Sequence, residues 1–513
     1  MRPCSIPQAQ RACVTQPRVR RTLGIESPHA SISPNPHGHG RQVKHRMVEF
    51  LAIIHQREAM TDPDQAPDVT LDQARDVGDF LNALGVSAHE LELIAIVTGW
   101  QQRAPRKITA AALLTSLCAQ TLGGTASFND IATALDTAAG RQPSRQAVAG
   151  RFAQPCLRMI QTVLRLAINK RVTTSMQDDV PAQGLLSRYS RVLVQDSTII
   201  ELPAWLFETF SGVANGASRV CNARIQATYD LKHMGFEAFS MDAYSKNDVS
   251  AAPDLELRPG DLVLRDRGYL SVGEIQRHQQ AGAHFIYRHK TGTLYRDVQS
   301  DEPLDLAQLL RHHGSLDREV ALNDAARTRV RLVAAPVNQE TADLRRMKAK
   351  KETKGHNPSA AVLELMGWTI FLTSLGPEVS FSALLETYGL RWRIEVIFKA
   401  WKSHMNFHLI HRVSELELKI CLSAKLVSIT VGMGHLYRRC YQRMREATGR
   451  DLSLLKFTRY LANLPQRLVS IHAWLLEGAP ATASTCIALR KYCCYDQRKR
   501  LNYHQKQRAL CLT

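Results

Sequence analysis

The chain has 513 residues, 44% of them hydrophobic and 22% charged, which is the composition of a folded globular protein and excludes an intrinsically disordered one. No uninterrupted apolar run reaches the ~18 residues that cross a bilayer, and the best candidate, residues 420–433, is interrupted by Lys425. At this length we expect roughly two to four structural units rather than one compact core.

The net charge of +19 is concentrated in two segments. Residues 1–47 contain eight Lys and Arg against one Asp and Glu, residues 388–513 contain 22 against seven, and residues 48–387 contain 36 against 39. Clustered cations gain affinity for DNA by releasing counterions from its phosphates. The charge therefore indicates a polyanionic partner, although a merely solubilising basic surface has the same composition.

The cysteines and the first residues bear on the cellular compartment. The eleven cysteines are odd in number and form no CxxC pair, which favours reduced thiols and argues against structural zinc. Residues 1–46 are rich in Arg, Pro, Ser and His and lack the apolar stretch of a secretory signal. We expect either a disordered basic extension or a start codon assigned upstream of the true start at Met47.

Residues 81–172 have a helical pattern, with glycine breaks at 123, 124 and 140. Ser127 and Asp130 have the spacing of a capping box, and Ser144 is placed to cap another short helix that ends near Phe152. Short helices separated by glycines are compatible with a helix-turn-helix-like DNA-recognition unit and with a plain helical bundle. The predicted helices are Leu91 to Thr98, Ile108 to Leu122 and Ser127 to Thr137.

After residue 184 the period changes, and short β-branched runs predict a central sheet flanked by helices. Strands are predicted at Arg191 to Thr198, Arg224 to Leu231, Phe236 to Tyr244, Leu262 to Arg265 and His284 to His289, with a helix at Val272 to Ala281. Further strands are predicted at Val330 to Ala334 and Trp368 to Thr373, around a basic loop from Arg345 to Lys354. From Phe381 to about Leu476 the pattern is helical, and a basic tail follows.

The segment from Tyr388 to Lys402 has two distinct faces when it is projected as one helix at ~100° per residue. A sector of roughly 60° contains four polar side chains: Tyr388, Arg391, Glu395 and Lys402. A separate apolar stripe, suited to packing on a sheet, contains Leu390, Ile394, Ile397, Phe398 and Trp401. An ordinary amphipathic helix with a solvated charged face has the same pattern.

Two upstream aspartates each follow a strand-like apolar run. Asp196 is expected to end the strand that includes Val192, and Asp266 to end the strand that begins at Leu262, just before a turn. Carboxylates at strand ends, with Glu395 on a helix packed across the sheet, can converge on a pair of Mg²⁺ ions. Taken alone, each aspartate is also a common turn or cap residue.

These residues resemble the DDE insertion-sequence transposases that carry the Tyr-Arg-Glu-Lys signature, the insertion-sequence-four group. The signature is Tyr, two residues, Arg, three residues, Glu, six residues and Lys, and the segment from Tyr388 to Lys402 fits it without a gap. The run Asp-x-Gly-Tyr from Asp266 to Tyr269 looks like the family's second aspartate motif. The resemblance covers roughly residues 85–430.

The resemblance implies an α/β fold with an RNase H-like catalytic core, interrupted by a β-rich insertion and accompanied by an N-terminal helical domain and a helical C-terminal region. The corresponding segments are the extension 1–46, a probable DNA-binding helical domain at 81–172, the first part of the core at 185–289, the insertion at 290–374, the catalytic-glutamate helix of the core at 375–410 and a helical basic region at 411–513.

The resemblance assigns catalysis and metal binding to Asp196, Asp266 and Glu395, which would hold two Mg²⁺ ions, with Mn²⁺ as a substitute. One ion would activate water, or later a DNA 3′-hydroxyl, and the other would stabilise the leaving oxygen during in-line attack. No covalent protein nucleophile is needed.

Four further residues are expected to contact DNA. Tyr388, Arg391 and Lys402 would position phosphates and a hairpin, and their alternative role is a local ion pair with Glu395. Trp368 would stack on a flipped base, or would simply be a core tryptophan in a strand. The basic loop after Arg345 would touch the DNA backbone or be solvated.

The implied function is cut-and-paste DNA transposition of an insertion sequence by nicking, hairpin formation and opening, and strand transfer. The implied partners are double-stranded DNA, as terminal inverted repeats and target, and a second copy in a homodimer whose surface is expected in the region from Leu416. The expected location is the bacterial cytoplasm, at the nucleoid, without membrane association. The alternatives are a non-catalytic or domesticated DNA-binding repressor of element ends and an RNase H-like nuclease that cuts without joining.

Overall fold

The computed structural model describes residues 80–512, apart from 106, 123–126, 140–141, 174–183, 213–219, 353–356, 411–412, 463–465, 477–479 and 498–499. The predicted extension at 1–46, Met47 and the glycine breaks at 123, 124 and 140 lie outside these described residues. No helix in the described part of the chain combines the length and the apolarity that a membrane span needs.

Helices precede the sheet, as the sequence pattern predicts, and both predicted caps are confirmed. Ser127 and Asp130 cap each other reciprocally, with N···O distances of 2.8 and 3.2 Å. The Ser144 hydroxyl accepts a hydrogen bond from the Ala147 amide at 3.2 Å. The helices are α1 (Ala88–Val97), α2 (Ala110–Leu122), α3 (Phe128–Ala139), α4 (Arg145–Ala149) and α5 (Gln154–Thr173).

Ten strands in the described residues form one sheet, which confirms the α/β class. In chain order they are β1 (Arg191–Glu201), β2 (Asn222–Asp230), β3 (Gly235–Ala243), β4 (Asp261–Arg265), β5 (His284–Arg288), β6 (Tyr295–Arg296), β7 (Pro303–Leu304), β8 (Leu316–Leu322), β9 (Arg329–Pro336) and β10 (Trp368–Thr373). Their spatial order is β3-β2-β1-β4-β5-β10-β9-β8-β6-β7. Among the described strands only β1, β4 and β5 pair in parallel, and β6 to β10, which lie in the predicted insertion, extend the same sheet.

The predicted basic loop after Arg345 is wrong, because its described residues are helical. They belong to α8 (Gln339–Glu352), which follows α6 (Val272–Gln280) and α7 (Leu306–His313) and precedes α9 (Ala360–Leu365). Lys, Arg, Ala and Met are strong helix formers, so their intrinsic propensity outweighs the charge that suggested a loop. Residues 353–356 lie outside the description.

The single helix predicted from Tyr388 to Lys402 is also wrong. The segment spans two helices, α10 (Phe381–Gly389) and α11 (Trp392–His404). Between them the amides of Leu390 and Arg391 donate to carbonyls three residues earlier, at 3.1 and 3.0 Å, which is a tightened turn. A glycine at position 389, which has low helix propensity, ends the first helix. The predicted apolar stripe is buried throughout.

The helices after the site pack against those before the sheet. They are α12 (Glu415–Ile429), a π-helical segment (Thr430–Leu436), α13 (Tyr437–Thr448), α14 (Leu454–Ala462), α15 (Gln466–Leu476), α16 (Ser484–Tyr492) and α17 (Tyr503–Leu512). α12 contacts α2 and α5 and is buried along most of its length. This helix therefore offers little exposed surface, and the dimer surface expected in the region from Leu416 stays a prediction.

Register between β1 and β4 places the two aspartates level with each other. Gln195 lies opposite Arg265, and Asp196 and Asp266 are the next residue on each chain segment. β4 ends there, as predicted. β1 does not end at Asp196 as predicted, because it stays paired with β2 as far as Glu201. Asp196 therefore lies inside β1, at the point where the neighbouring parallel strand, β4, ends.

A buried ion pair joins β1 and β4 at the start of this pairing. Arg191 donates from Nε and Nη2 to the two oxygens of Asp261 at 2.9 and 2.6 Å, and from Nη1 to Glu237 at 2.9 Å. The side chain of Asp261 is fully buried. The guanidinium fork and the carboxylate are planar partners, so the pair also defines the register of the two strands.

Replacing Asp261 with Ala is expected to lower the free energy of unfolding by about 3–5 kcal/mol, because it leaves Arg191 buried with one carboxylate partner fewer. Urea unfolding measures the change. The matched control is Asp242→Ala, which breaks an ion pair with the exposed Lys246 and should cost less than about 1 kcal/mol. Equal losses in the two variants would contradict a structural role for the buried pair.

Candidate active site

Three carboxylates come together from three separate elements. Asp196 lies inside β1, Asp266 directly follows β4, and Glu395 lies in the first turn of α11. The apolar stripe of α11 holds that helix against the core, with Ile394, Ile397 and Trp401 fully buried. Packing of one helix face therefore directs Glu395 towards the two aspartates.

Arg391 joins two of these carboxylates. Its Nη1 donates to Asp196 Oδ2 at 3.2 Å and its Nη2 donates to Glu395 Oε1 at 2.7 Å. Tyr388 serves the third, since its hydroxyl donates to Asp266 Oδ1 at 3.1 Å. The guanidinium also lies 5.6 Å from the centre of the Tyr388 ring. Tyr388 and Arg391 thus contact all three acidic groups. The local ion pair between Arg391 and Glu395, which was the alternative role expected for the signature residues, is present.

Electrostatics at the site are dominated by burial and by negative charge. Burial raises the pKa of Asp196 to about 6, and the neighbouring charges of Glu395 and Asp266 add to this effect. The Ser197 amide, which donates to Asp196 at 2.8 Å, and Arg391 lower the pKa but do not compensate fully. Burial and the charge of Asp266 likewise raise the pKa of the Tyr388 hydroxyl. The site holds more negative charge than one guanidinium neutralises.

This surplus of carboxylate oxygen suits a divalent cation. Mg²⁺ and Mn²⁺ prefer hard oxygen ligands, and a cation would offset the cost of burying the charge of Asp196 as well as the weaker repulsion from Glu395 and Asp266. In the described residues, however, no group of three His, Cys, Asp or Glu side chains is close enough to share one ion. Asp196 and Glu395 instead pair with Arg391, so binding of a cation by these two carboxylates would require that side chain to release them.

A buried network of hydrogen-bonded polar side chains, which the sequence analysis did not identify, lies close to the aspartates. The Tyr269 hydroxyl and Gln195 Nε2 both donate to Gln226 Oε1, at 3.2 and 2.8 Å. Gln226 Nε2 donates to the Asp248 carbonyl at 2.7 Å. This hydrogen-bond network links β1, β2 and the turn that follows Asp266. Its sequence signal is one glutamine in each of two predicted strands, Gln195 and Gln226.

Lys402 does not contact the three carboxylates. It lies two turns along α11 from Glu395, where burial lowers its pKa and the charge of Glu201, at the far end of β1, opposes that effect. Among the described residues it forms no ion pair within 4.0 Å. Lys402 shares a face of α11 with Glu395 by its spacing, but it lies near Glu201 and apart from the three carboxylates.

Trp368 lies beside the site, in the wall of a cavity of about 260 Å³ that Asp266 also borders. Its indole is partly buried, and Nε1 donates to the Gly314 carbonyl at 3.2 Å. The cavity wall is strongly basic, with Arg267, Arg288, Arg345 and Lys348. Arg345 donates to the Trp368 carbonyl at 2.9 Å, which connects α8 to the start of β10.

A second tryptophan was missed by the sequence analysis. Trp392 follows Arg391 directly and is 62% exposed, which is unusual for so large an apolar side chain. An alternating aromatic and cationic run around Arg391 was the available signal in the sequence.

Comparisons with known proteins identify a family match in this part of the chain. Residues 189–424 match the family described as Transposase DDE domain, and that segment contains all three carboxylates. The transposase for insertion sequence element IS231B of Bacillus thuringiensis subsp. berliner is 26% identical over 279 residues, 49% of this chain and 58% of that protein. The transposase for insertion sequence element IS1151 of Clostridium perfringens is 23% identical over 340 residues, 60% of this chain and 70% of that protein.

The segment 189–424 is therefore similar to the transposase DDE domain, and the chain is similar to transposases of insertion sequences. Its match spans less than two thirds of the length of the IS231B transposase. Among solved structures, the piggyBac transposase synaptic complex with hairpin DNA aligns over 83% of this chain and 87% of that chain, with 10% identity and a TM-score of 0.38. That likeness is too low to support a conclusion about this DDE domain.

The raised pKa of Asp196 makes the stability of the DDE domain depend on pH. A folded-state pKa of about 6, above the usual 3.8, means that the folded state holds the proton more tightly. The associated stability is present below pH ~4 and is lost as the pH rises through 6. Asp196→Asn should therefore be more stable than the unsubstituted chain at pH 7.5, by at most about 3 kcal/mol, and equal to it at pH 4.

Thermal or urea unfolding at the two pH values, without divalent ions, measures this difference. Glu386→Gln is the control, since that carboxylate is exposed on α10 and should change stability little at either pH. A stability gain in Asp196→Asn that is the same at pH 4 and pH 7.5 would mean that burial of a charge is not its cause.

Proposed function

We propose that this chain is a DDE transposase that moves an insertion sequence by DNA cleavage and strand transfer. The observation that carries the proposal is the convergence of Asp196, Asp266 and Glu395 at Arg391 and Tyr388, inside the segment that matches the transposase family. An RNase H-like core is the fold that this arrangement supports, with two carboxylates on adjacent parallel strands and the third on a helix packed across the sheet. Assignment to the insertion-sequence-four group is part of the proposal.

Asp196, Asp266 and Glu395 are the residues that would hold two Mg²⁺ ions, for which Mn²⁺ is a plausible substitute. When bound, the ions supply Lewis-acid stabilisation of charge at phosphorus and a more acidic water or hydroxyl. The protein contributes a partly buried pocket in which three carboxylates already repel one another, so cation binding relieves a cost that the fold imposes.

Arg391 has a second partner in the proposed reaction. A guanidinium that leaves Asp196 and Glu395 when cations bind is free to donate to a DNA phosphate, for which its planar fork is well suited. Tyr388 stays hydrogen-bonded to Asp266 and orients that carboxylate. Lys402, which lies apart from the carboxylates, would contact the DNA backbone farther along the bound strand.

The basic cavity beside Asp266 supports a role in hairpin handling. Its four cations can neutralise phosphates, and Trp368 offers an aromatic wall for an unstacked base. The cavity, of about 260 Å³, has room for a single nucleobase. The proposed cycle is therefore nicking, hairpin formation, hairpin opening and insertion into target DNA, in which each step is phosphoryl transfer.

Double-stranded DNA is the proposed partner, as terminal inverted repeats and as target. The high positive charge of residues 388–513 supports it, because these cations would add salt-dependent affinity for phosphates. Helices α1 to α5 are the proposed reader of the element ends. A homodimer on paired ends completes the proposal.

Two alternatives lead to different outcomes. A non-catalytic or domesticated repressor would bind element ends without cutting them. Such a protein would not need the contacts that Arg391 and Tyr388 make with the three carboxylates. An RNase H-like nuclease would cut but not join. The cavity with Trp368 favours the transposase, because a simple nuclease has no need to hold an unstacked base.

Glu395→Gln is expected to reduce metal-dependent cleavage by at least about 1,000-fold, because a neutral amide replaces one of three acidic ligands. The measurement is cleavage of a duplex that carries the inverted repeats flanking the gene, with Mg²⁺ or Mn²⁺. Binding of the same duplex should change little. Glu386→Gln, the same substitution at an exposed position on α10, is the matched control and should cleave normally.

Cleavage by Glu395→Gln at the rate of the control would rule out the proposed triad. Binding without cleavage by the unsubstituted chain would favour the repressor, and cleavage without strand transfer would favour the nuclease.

Arg391→Ala is expected to bind and nick DNA but to form hairpins at least about tenfold more slowly, because it loses a charge-assisted phosphate contact. Denaturing gels resolve the nicked strand from the hairpin. Lys399→Ala on the exposed side of α11 is the control for loss of a cation from the same helix. Hairpins at the normal rate in Arg391→Ala would remove the proposed phosphate contact.

A further inference from the structure

A buried cation lies two residues before Glu395 on the same helix. Arg393 is only 2% exposed and points away from the acidic site, towards the helices that follow it. Burying a charge without a partner costs several kcal/mol. The groups that surround this guanidinium therefore affect the position of α11.

Aromatic side chains take the place of a carboxylate around Arg393. Its Nη2 donates to the Tyr437 hydroxyl at 3.2 Å, and its guanidinium lies 4.4 Å from the Tyr503 ring centre and 5.4 Å from that of Tyr437. Among the described residues, no Asp or Glu forms an ion pair with it. The electron-rich ring faces are its main compensation, and a desolvated contact of this kind is worth about 2 kcal/mol or more.

Tyr503 belongs to α17, and several polar contacts hold α17 in place. Arg508 forms a two-pronged pair with Asp451, with both N···O distances 2.8 Å, and Asn502 donates to the same carboxylate at 3.0 Å. Gln507 donates to the Leu231 carbonyl, just after β2, at 2.9 Å. α17 is thus fastened to the sheet and to the loop before α14, while Tyr503 reaches the glutamate helix.

We propose that Arg393 is a positioning residue for Glu395, and that α17 acts through it as part of the active site. The inference rests on the proposed function, since Glu395 is there a catalytic ligand. The apolar stripe holds α11 against the core through non-directional contacts, and the directional contacts of Arg393 add resistance to rotation and sliding of the helix. A shift of about 1 Å at a catalytic group can lower a rate on the order of 100-fold.

Tyr503 provides a discriminating pair of substitutions. Tyr503→Phe keeps the ring, and the hydroxyl that it removes is buried without a hydrogen-bond partner among the described residues. Tyr503→Leu removes the ring that lies nearest the cation. Leu489→Ala, a cavity substitution at a fully buried position on α16, is the control for general loss of stability in the same helical region.

The experiment measures the cleavage rate at saturating DNA, the affinity for the same duplex, and hydrogen exchange of the α11 amides. Tyr503→Leu is expected to cleave roughly 10- to 100-fold more slowly, with less than about a threefold change in affinity, and to exchange faster in α11. Tyr503→Phe should behave as the unsubstituted chain. Leu489→Ala should leave α11 exchange and the rate unchanged below its melting temperature.

Each outcome decides the proposal. A normal rate and normal α11 exchange in Tyr503→Leu would overturn it, and so would equal effects in Leu489→Ala. If Tyr503→Leu does not fold, the double variant Arg393→Met with Tyr503→Leu removes the buried charge that has lost its ring partner. This double variant should fold but still cleave DNA slowly, and a normal cleavage rate would refute the positioning role. If the unsubstituted chain does not cleave DNA, the proposed function fails, and hydrogen exchange still tests the link between α17 and α11.

Discussion

Parallel pairing of β1 with β4 is the constraint on which the site depends. Because Gln195 lies opposite Arg265, the next residues, Asp196 and Asp266, lie side by side at the edge of that pairing. A shift by one residue would turn one carboxylate to the other face of the sheet. The buried pair between Arg191 and Asp261 holds the register at its other end, so a structural ion pair sets the spacing of the two aspartates.

Charge at this edge is balanced by residues that follow it in the sequence by more than a hundred positions. Arg391 spans two carboxylates and Tyr388 contacts the third, while burial keeps the pKa of Asp196 raised. The same contacts explain how one signature serves two purposes. Without cations the guanidinium stabilises a repulsive cluster, and in the proposed reaction it is available to phosphate.

Local pattern predicted most helices and strands, including both N-terminal caps, because alternation and capping are local properties. It failed where tertiary contacts decide. Asp196 is inside β1 because β2 continues to pair with it. Two other errors have local causes: a glycine ends the first helix of the signature segment at position 389, and helix propensity outweighs charge in α8.

The sequence by itself determined the family signature, the α/β class and the identity of the five residues that meet at the site. It did so because residue spacing within a short segment and position after a strand-like run can be recognised locally. Only the tertiary structure decided that Lys402 lies apart, that Trp368 shares a basic cavity with Asp266, and that Arg393 is enclosed by rings from α13 and α17. Those contacts join residues far apart in the chain, and no periodicity encodes them.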